Sequence, residues 1–191
     1  VCNNSCMVAV PEVPCLPKLR WLNDLVGDAD ADVAGWSDGV ADTLALRMRA
    51  REKTDWFNPP PVENCPDGLA NAPALVFTPP SGDWQLSANV QVEHRSLFDA
   101  GVLFVHQGPD DWCKLCFEYS PEKLPVIVSV VTRGFSDDAN GTVVEASSVR
   151  LRISKRGPLL AFHYLAAGAE GGGGAYWVLH RIFSLRDPQL P

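Results

Sequence analysis

A chain of 191 residues, 46% hydrophobic and 20% charged, has the length of one domain and the composition of a packed globular protein, which excludes wholesale disorder. Its formal charge of −7 runs against a phosphate-backbone partner, because nucleic-acid binding rests on a basic footprint. Long apolar runs such as LPVIVSVV at 124–131 are too short to span a bilayer, so neither a nucleic-acid nor a membrane partner is expected.

The first residues, VCNNSCMVAV, carry no initiator Met, charged segment or long apolar stretch, so no signal peptide is read there. Six cysteines (Cys2, Cys6, Cys15, Cys65, Cys113 and Cys116) form an even set, and glycosylation triplets begin at Asn3 and Asn140. The missing leader turns the expectation towards a reducing, cytoplasmic compartment, with secretion as the alternative.

From there the chain reads as short strands between turn-formers, with no helical period. The segment 43–51 alternates, with Leu44, Leu46 and Met48 on one side and Arg47, Arg49 and Arg51 on the other. Pro59, Pro60 and Pro61 end whatever TDWF at 54–57 begins, and 61–68 and 78–83 are loops. Strands are predicted at 84–94, 100–107, 112–120, 125–133, 149–154, 159–166 and 175–183. SDDANGT at 136–142 is read as a loop, and without regular ligand spacing it makes a poor calcium site. GAEGGGG at 168–174 is a hairpin tip; strand-like residues follow it, where a phosphate-cradling loop would need a helix. Eight or nine such strands predict an all-β fold, a two-sheet antiparallel sandwich or jelly roll.

Strand parity decides the Cys-x-x-Cys at Cys113 and Cys116. Successive side chains in a strand point to opposite faces, so residues three apart cannot share a metal or close a disulfide without a bulge. Cys113, Leu115, Phe117 and Tyr119 fall on one face, read as inter-sheet core. Trp112, Lys114, Cys116 and Glu118 fall on the other, an aromatic with a cation and a carboxylate, which is the make-up of a sugar-binding concave face. His94, His106, His163 and His180 lie singly on different strands, so no metal site or nucleophile is expected, and no cofactor.

The order of motifs resembles the family catalogued as domain of unknown function 1349, which includes the fungal regulation-of-enolase protein. RWLND (20–24), TDWF (54–57), GDWQLSANVQV (82–92), LFDAGVLF (97–104) and DDWCKLCFEYS (110–120) carry the likeness. SVVTRGFSDD (129–138), VRLRISKRG (149–157) and YWVLHRIFSL (176–185) continue it, so it spans about 20–186 and leaves 1–19 outside. The resemblance implies one sandwich domain of the concanavalin A-like lectin/glucanase type over 20–191. It also implies that Thr54, Asp55, Asp99, Lys114, Glu118, Thr132 and Arg181 occupy positions where the family keeps these residue types. Family chains close with further strands, and a chain ending at LRDPQLP is expected to lack them.

The expected function is a non-catalytic module that binds a saccharide or small polyol on the concave face. Asp55, Trp56, Asp99, Trp112, Lys114, Glu118, Thr132 and Arg181 are its candidate residues, with Asp99 and Arg181 supplied by other strands of the Lys114 sheet. The alternative is a regulatory module with a protein partner. A glycoside hydrolase is disfavoured, because it needs two carboxylates roughly 5–10 Å apart, whereas Glu118 and Glu122 lie about 13 Å apart if extended. Asp99 with Glu118 across strands is the remaining pair.

Overall fold

The computed structural model describes residues 10–14, 16–23, 30–37, 42–65, 67–168 and 174–186. They fall into two compact units, one drawn from Val1–Phe57 and Pro66–Pro79, the other from Asn58–Cys65 and Pro80–Pro191. The first unit holds three antiparallel pairs: β1 (Arg20–Trp21) with β6 (Leu75–Val76), β2 (Asp30–Ser37) with β3 (Asp42–Arg49), and β4 (Trp56–Phe57) with β5 (Leu69–Ala70).

The second unit is a two-sheet antiparallel sandwich built from β7 (Trp84–Gln91), β8 (Ala100–Gly108), β9 (Asp111–Tyr119), β10 (Pro125–Arg133), β11 (Phe135–Val143), β12 (Ser148–Arg156), β13 (Leu159–Ala166) and β14 (Tyr176–Phe183). One sheet runs β11-β10-β9-β8 and the other β14-β13-β12-β7. Cys113, Leu115 and Phe117 of β9 and Ile127 and Val131 of β10 pack with Leu151 and Ile153 of β12 and Phe162 of β13, every one of them fully buried. These are the odd positions of β9, as parity requires. Trp84, Leu86, Ala88 and Val90 supply the same core from β7, leaving Gln85, Ser87 and Asn89 to face away.

Gly101 of β8 lies close against β7: a Cβ there would lie 2.4 Å from Val90 Cγ1 and 2.9 Å from Val92 Cγ2. Gly134, at φ +93°, closes the tight link between Arg133 and Phe135, a conformation that side-chain-bearing residues rarely adopt.

The all-β fold agrees with the sequence pattern, and the alternating runs fall on observed strands within a few residues. Two long strands were not predicted. SDDANGT is not a loop but lies inside β11, paired with β10, and DADVAGWS forms β2. Asp, Asn and Gly are poor strand formers, yet the ladder offered by a strongly apolar neighbour fixes such a segment at a sheet edge. Among the described residues there is no helix, and none long and apolar enough to cross a membrane. Cys2, Cys6, Cys15 and most of the Gly-rich tip lie outside the described residues.

Candidate functional site

The concave-face residues occupy less common ground than their sequence pattern suggests. Trp112, Lys114, Cys116 and Glu118 do share the outer face of β9, opposite the core. That face is filled: Trp112, Cys116 and Thr132 are fully buried, Lys114 is 8% exposed, and Cys116 packs with Val126 and Val128. The Trp112 ring lies 5.7 Å from Phe104, and its Nε1–H donates to the Pro109 carbonyl at 3.1 Å. Thr132 Oγ1 and Ser136 Oγ are hydrogen-bonded at 2.8 Å.

Asp99 serves a turn. Its Oδ2 accepts from the backbone N–H groups of Arg95 (2.9 Å) and Ser96 (2.8 Å), fixing the 95–99 corner. Arg181 is not on the Lys114 sheet: it belongs to β14 of the other sheet, where its guanidinium pairs with Asp137 at 2.7 Å. A register shift between Phe162 and His163 turns this end of β14, and His180 beside it reaches inward to Ser129 Oγ at 3.0 Å. Asp55 and Trp56 belong to the first unit. There Asp55 Oδ1 accepts from Trp56 N at 2.7 Å, and Trp56 Nε1–H donates to the Ala72 carbonyl at 2.9 Å. Thr54 Oγ1 donates to the Arg51 carbonyl.

The Cys-x-x-Cys behaves as strand parity requires. Cys113 points into the inter-sheet core and Cys116 into the opposite face, and both are free thiols. Burial, with Asp111 beside it, pushes the Cys113 thiol far above the usual range, so it stays protonated and unreactive. Among the described residues no group of three His, Cys, Asp or Glu is placed to hold a metal ion.

An open cleft lies instead on the outward face of the second sheet. It has a volume of about 570 Å³ and is lined by Asp83, Trp84, Gln85, Arg152, Ser154, Lys155, Arg156 and His163. The register explains the convergence: Ser154 stands opposite Gln85 on β7 and Ala161 on β13, and Arg152 opposite His163. Two buried polar atoms of this lining have no hydrogen-bond partner among the described residues: Ser154 Oγ and His163 Nδ1. Trp84 Nε1 lacks one as well, but its side chain packs into the inter-sheet core. Buried polar atoms are overwhelmingly bonded, so two on one cleft are a departure that requires a reason.

The charged groups around them are arranged. The Arg152 guanidinium lies over the Trp177 ring, 3.4 Å from its centroid. Lys155 Nζ donates to the Gly82 carbonyl at 3.2 Å. Asp83 Oδ1, the cleft's carboxylate, accepts from Gly157 N at 2.8 Å and so closes the β12–β13 turn. Burial, reinforced by Arg152, holds His163 below the ordinary imidazole range, so its ring is neutral near pH 7.

None of these cleft residues was among the sequence candidates, although a signal was present. In VRLRIS, Arg150, Arg152 and Ser154 alternate with core residues, and in LLAFHYLA, Ala161 and His163 do the same.

A family model described as "Protein of unknown function (DUF1349)" matches residues 36–190. The structure is similar to a crystal structure of a functionally unknown protein from Saccharomyces cerevisiae, with TM-score 0.60 and 21% identity, over 87% of this chain and 78% of that one. No curated protein matches the chain.

Proposed function

Because the chain belongs to the family described as Protein of unknown function (DUF1349), whose description assigns no activity, we propose its function from the site itself: a non-catalytic module that binds a saccharide or small polyol in the outer cleft of the second sheet. The observation that carries this reading is the pair of buried, unpartnered polar atoms, Ser154 Oγ and His163 Nδ1, on residues lining one open cleft. A ring of hydroxyls both donates and accepts, and so satisfies a serine hydroxyl and an imidazole nitrogen together. The cleft volume lies within the range of about 300–1,000 Å³ common to small-molecule sites. Gln85 adds an amide, and the sandwich is on this reading of the concanavalin A-like lectin type that the sequence resemblance implies.

Catalysis has little support in this cleft. Glycoside hydrolysis uses a pair of carboxylates, and the cleft's Asp83 already accepts a hydrogen bond from Gly157 N. The burial of Trp112 and Thr132 moves the proposed site away from the Lys114 face.

One observation favours a second reading, a protein-interaction module. Leu97 and Phe98 are exposed side by side, and Phe98 is held at φ 70°, a costly conformation for an aromatic residue. The regulation-of-enolase likeness belongs with this reading.

The test is a glycan array with the purified chain, followed by calorimetry of Ser154→Ala and Glu118→Gln against the strongest hit. The expected result is weaker binding for Ser154→Ala and unchanged binding for Glu118→Gln. The reverse pattern would return the site to the outer face of β9.

A further inference from the structure

The charge of the second sheet narrows the ligand. Its four strands hold Arg150, Arg152, Lys155, Arg156 and Arg181 and no Asp or Glu. In a chain carrying 23 acidic against 16 basic residues, this sheet is a concentration of positive charge. Parity sends Arg150, Arg152 and Arg156 to the outward face along β12, while Val149, Leu151 and Ile153 fill the core. The neighbouring outward positions are neutral: Gln85, Ser87 and Asn89 on β7, and Ala161 and His163 on β13.

Arg152 is the group set up for recognition. Its guanidinium is held over Trp177, 3.4 Å from the ring centroid, and carries a planar fork of N–H donors. No described residue gives it a hydrogen bond or an ion pair. By contrast Arg181 is engaged by Asp137, and Lys155 by the Gly82 carbonyl. The planar fork matches the two oxygens of a carboxylate or phosphate, and the cleft's own carboxylate, Asp83, is engaged by Gly157 N. The unpartnered Ser154 Oγ lines the same cleft and supplies a neutral donor beside the cation.

We infer that the cleft selects an acidic saccharide, a sugar or polyol bearing one carboxylate or phosphate, with Arg152 as the anion-binding and specificity-determining residue. This rests on the binding reading above and adds the class of ligand. An anion steered by the basic sheet docks on Arg152, and the hydroxyls of the same molecule satisfy Ser154 and His163.

The experiment is calorimetry of the full chain at physiological salt against glucose, galactose and mannose, each as the neutral sugar, the uronate and the 6-phosphate. Wild type is compared with Arg152→Gln and Arg152→Lys, with thermal melting to check that all three fold alike. Expected is at least tenfold tighter binding of the acidic forms, a gap closed by Arg152→Gln and partly kept by Arg152→Lys. Uronate against phosphate preference identifies which anion the fork accepts. Equal affinity for neutral and acidic forms in wild type overturns the inference and leaves the binding reading intact. Absence of binding by every member, neutral and acidic, overturns both.

Discussion

Ser154 is where sequence, packing and function conflict most sharply. A serine hydroxyl buried without a partner costs about 1–3 kcal/mol relative to a satisfied one, so a residue kept for folding alone would be better as alanine. Ser154→Ala is therefore expected to leave the melting temperature unchanged or raise it, while weakening saccharide binding by up to about tenfold, the worth of one neutral hydrogen bond. A lowered melting temperature with unchanged binding would make Ser154 structural. Phe98 poses a similar question: exposed and held in the left-handed region, it stores about 1–2 kcal/mol of strain. Phe98→Asn should raise stability by up to about 1 kcal/mol in denaturant titration, since Asn tolerates that backbone and little burial is lost. A clear loss would mean that the aromatic ring holds the corner together. Of the candidate residues, strand parity in the sequence showed which face Trp112 and Lys114 occupy. It did not show that the face is filled, because burial depends on what packs against a strand. The unpartnered state of Ser154 was equally hidden, since it depends on neighbours brought in from β7 and β13.

At the scale of the strand, legibility followed hydrophobic period. The strongly alternating or apolar runs that became β7, β8, β9, β10, β12, β13 and β14 were readable, whereas β11 was not. Its FSDDANGTV has no apolar period and gains its extended form from pairing with β10. Inter-sheet contacts are tight enough to be probed one atom at a time. A methyl group at Gly101 would collide with Val90 and Val92, side chains that are themselves wedged in the core. Gly101→Ala should thus cost about 1–3 kcal/mol in chemical denaturation, the usual range for overpacking. A cost below about 0.5 kcal/mol would show that the two sheets part locally without penalty.

For the whole molecule, the three histidines with altered affinity for protons all shift the same way. His94, His163 and His180 are each held below the ordinary imidazole range, in every case first by burial; Arg152 adds to this at His163 and Arg181 at His180, while the Phe117 backbone and then Asp99 oppose it at His94. Folded imidazoles that resist protonation lose out to an unfolded chain that protonates near pH 6.5, so their contribution is complete above that value and is lost as the pH falls through it. Denaturation midpoints should therefore fall between about pH 7.5 and 5.5, and a midpoint that rises on acidification would contradict the burial of these rings. The same sandwich that buries them leaves one sheet free of carboxylates and two polar atoms of its cleft without a partner among the described residues, and the binding account depends on that asymmetry. Its most direct test follows the indole N–H resonances during titration with a hexose uronate. Trp177, which lies under Arg152, should shift on binding; Trp56 and Trp112, already bonded to the Ala72 and Pro109 carbonyls, should not. Shifts confined to Trp112, with Trp177 unmoved, would place the ligand on the other sheet and contradict the account.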